Sequence, residues 1–249
     1  MNLKSKTAFA LTALLAGAAM AQTAAPEPDY TLSYNVGATS DYRFRGIAQT
    51  SFDPALQAGV DFAHKSGFYL GAWGSNVSWI KDYAGATDGS LEIDLYGGYK
   101  GQISKDLAFD VGVITYQYPS NNAATNANTT EVYGALTYSI VTAKYSRSAG
   151  NFVANANSSG SAYLEVAASF DLGSGFTLTP HVGRQTIPNV TNDAGNYTDY
   201  SLTLGKDFGN GFSATVAAMG TNADKAFYTD TKGNFLGKDV LVVGVKYSF

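Results

Sequence analysis

The 249-residue chain contains no cysteine, which excludes disulfides and any thiolate-ligated metal site. Histidine occurs only twice, too few for a histidine-built metal centre. No His-Glu-x-x-His, Cys-x-x-Cys, phosphate-loop or Gly-x-Ser-x-Gly spacing occurs, so metallohydrolase, nucleotide and α/β-hydrolase chemistry all lack a signal. No cofactor and no metal is expected. The 16 Lys and Arg are outnumbered by 20 Asp and Glu, which argues against a nucleic-acid partner, whose phosphates require a basic face. Beyond the N-terminus no segment approaches the ~20 apolar residues of a membrane helix. Proline is scarce at 6 residues, whereas glycine (27), tyrosine (17) and phenylalanine (14) are abundant, a balance that favours strands and tight turns over helices.

The N-terminus carries Lys4 and Lys6, an apolar run from Ala8 to Ala18, and the small-x-small triplet Ala19-Met20-Ala21. This is the pattern of a cleaved signal peptide over residues 1–21, with a mature start at Gln22. Its removal leaves 14 basic against 20 acidic residues. A short periplasmic segment, 22–29, then leads into a single strand-rich domain, 30–249. An exported chain without disulfides must be held by its hydrogen-bonded fold, and a closed barrel does this without a free edge.

The end of the sequence is the most informative stretch. Leu241, Val243, Val245, Tyr247 and Phe249 share one face of a period-two pattern, while Val242, Gly244, Lys246 and Ser248 share the other. An apolar face ending in aromatics suits the closing strand of a transmembrane barrel, pairing with the strand that begins at Tyr30. Similar segments recur through the chain, separated by connections that are short and long in strict alternation. Examples are Tyr30 to about Phe44, Ala55 to His64, Leu91 to Lys100, Leu107 to Tyr118 and Tyr197 to Phe208. The pattern predicts an all-β, antiparallel up-and-down transmembrane β-barrel of about twelve strands. Tyr30, Phe62, Phe68, Tyr99, Tyr138, Phe170, Phe176, Phe208, Phe212, Tyr247 and Phe249 all fall beside short turns, where a periplasmic aromatic girdle belongs.

A family resemblance is carried by Gly37-Ala-Thr-Ser-Asp-Tyr-Arg-Phe-Arg-Gly-Ile-Ala-Gln-Thr50, Asp53-Pro-Ala-Leu-Gln-Ala-Gly-Val-Asp-Phe-Ala-His64, Gly67-Phe-Tyr-Leu-Gly-Ala-Trp-Gly-Ser-Asn-Val77 and Glu92-Ile-Asp-Leu-Tyr-Gly-Gly-Tyr99. These stretches resemble the TorF porin family of proteobacterial outer-membrane proteins, also described as the Gcw_chp domain family. The Ser-Asp-Tyr-Arg-Phe-Arg-Gly stretch is its most specific part. The resemblance implies an outer-membrane barrel with a transport role and no catalytic residues. Gly244, Tyr247 and Phe249 also resemble the terminal signal read by the outer-membrane assembly machinery.

In such a barrel the inward positions are polar. Arg43 and Arg45 are expected near the outer end of the first strand, with Glu92, Asp94, Glu131, Lys144, Glu165, His181, Asp199 and Lys246 inward on later strands. Charges facing lipid would cost ~2–4 kcal/mol at the midplane, so the lumen is their expected place. Facing acids and bases can sort solutes by charge, and the acid excess favours cations or neutral solutes. A turn centred on Gly173 places Glu165 opposite His181, and Ser201 lies inward on the next strand, which makes a weak Ser-His-acid constellation conceivable. The expected activity is a monomeric, non-enzymatic diffusion channel for small hydrophilic solutes, in contact with outer-membrane lipid and lipopolysaccharide. A filled structural or adhesive barrel acting through its loops is the alternative, and a barrel hydrolase a third reading.

Overall fold

The computed structural model describes residues 28–249, so the expected signal peptide lies outside the described residues. The wall is built from β1 (Tyr30–Thr39), β2 (Ala55–His64), β3 (Phe68–Asn76), β4 (Leu91–Ser104), β5 (Leu107–Gln117) and β6 (Thr129–Tyr138). It continues through β7 (Val141–Ser148), β8 (Ala162–Ala168, resuming after Ser169 as Phe170–Gly173), β9 (Phe176–Thr186), β10 (Tyr197–Gly209), β11 (Phe212–Thr221) and β12 (Val240–Ser248). Each strand pairs antiparallel with its sequence neighbours, and β1 pairs with β12, so the twelve strands close into a barrel. No helix among the described residues is long and apolar enough to cross a membrane.

The strand alternation sorts the side chains to two environments. On β1 and β2 the paired residues Val36–Ala58, Tyr34–Val60 and Leu32–Phe62 all face out, while Asn35, Gln57 and Asp61 face in. The outward face is apolar around the ring and fully open: Leu56 is 72 % and Leu241 68 % exposed. A water-soluble protein does not leave a continuous apolar belt uncovered, whereas lipid requires one. The last residue extends the closing ladder, because Phe249 N donates to Tyr34 O and Tyr34 N to Phe249 O. Tyr247 and Phe249 lie on the outward face and Gly244 inward, opposite Thr39 and Thr215. At the short-turn end the rings of Tyr30 and Phe62, Tyr34 and Phe249, Phe68 and Tyr99, and Phe208 and Phe212 pack in pairs with centroids 5.0–5.7 Å apart.

The short turns explain the register. Ser174-Gly175 and Asn210-Gly211 have positive φ at both residues, the requirement of a type I′ hairpin. One extra residue bulges just before each, between Asp171 and Gly173 and between Asp207 and Gly209. The β8–β9 turn is therefore centred beyond Gly173, and Glu165 opposes Gly183, not His181 as the sequence arithmetic gave; His181 opposes Ala167. Inside the wall, Tyr96, Tyr69, Tyr133 and Tyr163 pack against glycines of the neighbouring strand, Gly71, Gly98, Gly112 and Gly183. These missing side chains let bulky inward rings lie against the wall.

Gly112→Val places its Cβ within 2.6 Å of Tyr133 Cζ and 2.7 Å of Gly97 O. It is expected to destabilise the barrel by about 1–3 kcal/mol. The loss should shrink when Tyr133 is also cut to Ala; a urea midpoint unchanged by Gly112→Val would contradict this packing.

Candidate functional site

Six long connections join the strands at the end opposite the short turns, and the first of them turns into the barrel. β1 stops at Thr39, so Arg43 and Arg45 are not on the first strand, as its alternation suggested. They sit on a hairpin inside the lumen, Arg43–Phe44 paired with Ile47–Ala48. The physical reason is the Arg45-Gly46 pair, both at positive φ (50° and 80°), which reverses the chain where a continuing strand would need extended backbone. A side chain at Gly46 would meet Thr221 Cγ2 at 2.6 Å and Asp199 Cβ at 2.8 Å, so the hairpin tip touches the β10–β11 wall.

Two arginines hold this hairpin in place. Arg43 donates from Nε to Asp41 Oδ2 (2.7 Å) and from Nη1 to the carbonyls of Gly46, Leu236 and Lys238. Arg45 donates from Nη2 to Glu131 Oε2 (2.6 Å) on β6 and from Nη1 to Gln185 Oε1 (2.8 Å) on β9. Its guanidinium lies 4.3 Å from the Tyr163 ring centroid and 4.7 Å from that of Phe44. Burial pulls the Arg45 guanidinium down, but the adjacent Glu131 charge reverses this and keeps it cationic. The side chains of Arg43, Arg45 and Glu131 are 2 %, 8 % and 0 % exposed, so these three are tied into the structure and are not free charges.

Glu92 and Asp94 are also buried, on the inward face of β4, where Tyr42 OH donates to Glu92 Oε1 (2.9 Å). On the other side of the hairpin lies a polar cavity of about 260 Å³ that brings together Arg45, Lys144, Glu165, His181, Asp199 and Ser201. His181 Nε2 sits 3.1 Å from Glu165 Oε2, and Nδ1 3.5 Å from Asp199 Oδ1. The diagonal approach from the shifted register still lets Glu165 and His181 meet. Tyr163 OH donates to Asp199 Oδ2 at 2.8 Å. Both imidazole nitrogens face carboxylates, and Ser201, opposite His181 on β10, makes no hydrogen bond to it. Lys144 lies 4.5 Å from the Tyr133 ring centroid and enters no ion pair within 4 Å among the described residues. Lys246 stands apart, exposed toward the short-turn end between Gly37 and Ser213.

The sequence reading missed Tyr42, Phe44, Tyr163 and Gln185, which complete the hairpin's seat. Phe44 read as the end of the first strand, and nothing local marked it as a hairpin residue, because its partners Tyr116 and Phe152 come from elements far along the chain. Above the hairpin the other loops form a canopy with its own apolar core. Trp79, Ile80, Tyr118 and Ala127 form one cluster, and Ile47, Tyr197, Tyr228 and Leu236 another. An apolar cavity of about 50 Å³, lined among others by Phe44, Trp79, Phe152 and Tyr228, lies where hairpin and canopy meet.

A polar latch ties the canopy together. Lys232 Nζ lies 2.9 Å from Asp82 Oδ2, Ser51 Oγ donates to Asp82 and Asp230, and Thr231 donates twice to the Asp82 carbonyl. Burial raises the Asp82 carboxyl, but hydrogen bonds from Lys232, Ser78 and Ser51 outweigh it and hold the group below its usual range.

A family model described as a bacterial protein of unknown function (Gcw_chp) matches residues 23–249. The match bears out the Gcw_chp resemblance, whose most specific part is Ser40–Gly46, over essentially the whole expected mature chain. No curated protein matches the chain. Among solved structures, a KdgM porin in complex with disordered oligogalacturonate is similar at TM-score 0.56 with 9 % identity, over 88 % of this chain and 98 % of that one. A NanC porin in a rhombohedral crystal form is similar at TM-score 0.54 with 10 % identity, over 88 % and 99 %. The likeness is one of fold: a porin-type barrel.

Removing one partner of the buried Arg45–Glu131 pair strands the other charge, which costs about 3–5 kcal/mol. Arg45→Ala is expected to free the hairpin while the wall persists, read as trypsin cleavage at Arg43 in a barrel that still migrates as folded. Resistance equal to the wild type would count against the pinning. The latch has its own pH signature. A depressed carboxyl stabilises above the usual carboxylate range and loses that contribution as pH falls through its folded pKa. In a Trp73→Phe background, iodide quenching of Trp79 should rise on acidification, and Asp82→Asn should quench at neutral pH as the parent does in acid. Quenching that ignores both changes would refute the latch.

Proposed function

The chain belongs to the Gcw_chp family, and we propose that it is a channel of the bacterial outer membrane that passes small hydrophilic solutes by diffusion. The observation that carries this reading is a closed wall with an apolar outer face and a polar lumen crossed by one pinned hairpin. In this reading the short turns face the periplasm and the long loops the outside. Residues 1–21 direct export, Gly244, Tyr247 and Phe249 engage the assembly machinery, and the protein works as a monomer. The porin designation of the TorF family belongs to the same reading.

The hairpin sets the constriction. With Arg43 and Arg45 neutralised by Asp41 and Glu131, and Glu92 and Asp94 buried on β4, selectivity falls to the groups left over, namely Lys144, Glu165, His181 and Asp199 around the polar cavity and Lys246 at the periplasmic mouth. Around the cavity two carboxylates, Glu165 and Asp199, stand against one lysine, Lys144, which favours cations and neutral solutes over anions.

One observation favours a second reading. The canopy core, with Ile80, Ala48 and Ala127 fully buried, lies across the outer end of the lumen, as a filled barrel acting through its loops would have it. Planar-bilayer recordings separate the two. A channel gives conductance steps with a cation-leaning reversal potential, and Lys144→Glu strengthens that leaning. Removal of residues 43–48 should enlarge the steps. Silence from both the intact protein and the deletion, each inserted and folded, would establish the filled barrel instead.

A further inference from the structure

The outer wall carries a charge pair that the lumen reading leaves unused. The carboxylates on the long-loop half of the strands, Glu92, Asp94, Glu131, Glu165 and Asp199, point inward. Two arginines do the reverse. Arg147 on β7 pairs with Ala162 and Arg184 on β9 pairs with Leu164, so they flank β8 on the face that also bears Tyr145, Leu164 and Val182, all exposed. Among the described residues they are the outward-facing cations of the wall's long-loop half. The third outward cation, Lys206, sits at the short-turn rim against Phe176 and Phe208.

Their height is set by the strand. Arg184 lies eight residues above the girdle residue Phe176, and a rise of ~3.3 Å per residue at a tilt of ~40° puts it about 20 Å up an apolar band of ~25 Å. That is the upper edge of the hydrocarbon, where an arginine meets headgroups. Among the described residues neither arginine forms an ion pair within 4 Å. Asp239, at the same rim, accepts from Tyr200 OH (3.0 Å). Both guanidinium groups are braced along the wall: Arg184 Nη1 donates to Thr198 Oγ1 (3.3 Å). Arg147 lies against Gly160, where a Cβ would come within 2.9 Å of Nη2. Two planar forks on strands separated by β8, so about 9.6 Å apart at ~4.8 Å per strand, can converge on one anionic headgroup above Leu164.

We propose that Arg147 and Arg184 form a docking site for the phosphate groups of the outer-leaflet glycolipid, lipopolysaccharide. The inference rests on the outer-membrane reading and is independent of conduction. It is tested by native mass spectrometry of the folded, detergent-solubilised barrel incubated with bisphosphorylated lipid A, its dephosphorylated form, or phosphatidylglycerol. The wild type should retain bisphosphorylated lipid A in preference to the other two. The Arg147→Gln/Arg184→Gln double variant should retain about tenfold less, with lysines at both positions restoring part of it. Equal retention by wild type and double variant, each with folded heat-modifiable migration, overturns the site. Phosphatidylglycerol held as firmly as lipid A overturns the assignment to the glycolipid. Failure of the wild type to insert into lipid vesicles would instead overturn the outer-membrane reading itself.

Discussion

In lipid no water is present to satisfy backbone amides and carbonyls, so every polar group of a spanning strand must be paired within the wall. This chain meets the condition through the β1–β12 ladder, from Thr39–Gly244 down to Tyr34 and Phe249. Without that seam, β1 and β12 would each present a bare edge to hydrocarbon, and the other pairings could not compensate. The arrangement of side chains follows from closure. Once the sheet is a ring, period two leaves each strand residue one of two solvents. The apolar set goes to lipid, and the charged set goes almost entirely to the lumen.

The lumen then has to manage the charges it receives. Buried ions are costly unless paired, and the inward hairpin is the device that pairs several of them. Arg45 serves Glu131 and Gln185 from two distant strands, while Arg43 serves Asp41 and three carbonyls, two of them in the last long loop. A buried ion pair adds little net stability over a hydrophobic substitute, but it is strict about geometry. Here that strictness fixes the hairpin tip against β10 and β11, so the bore is divided at a defined place and not by a loop that wanders.

What could be read from the sequence divides along the same physical line. The strands were legible because lipid imposes a period-two apolar face that survives in one sequence, as Leu241, Val243, Val245, Tyr247 and Phe249 show. The inward carboxylates followed from the same alternation. The hairpin was not legible, although its residues form the most distinctive motif, because Tyr42-Arg43-Phe44-Arg45 alternates just as a strand does. Only the Arg45-Gly46 backbone breaks that pattern, and the partners that hold it lie 86 and 140 residues away. The Glu165–His181 contact was legible as a meeting but not as a register, because the turn lies at Ser174-Gly175 and one residue bulges before it, which together move the pairing by two residues and so leave the same side chains facing in.

The packed canopy and the polar cavity beneath it belong to one arrangement. The apolar clusters of the canopy are completed by the hairpin, since Ile47 and Ala48 supply part of the core around Leu236 and Phe44 packs against the cluster around Ile80. Conversely, the hairpin leans on Leu236 and Lys238 through Arg43, so the last long loop holds the first. The latch at Asp82 ties the second long loop to that same last loop through Lys232 and Thr231. Movement of the hairpin therefore requires exposing canopy side chains, and loosening the canopy removes one of Arg43's supports. In the channel reading, passage through this barrel is governed less by the width of the wall, which closure fixes, than by the coupled free energy of hairpin and canopy.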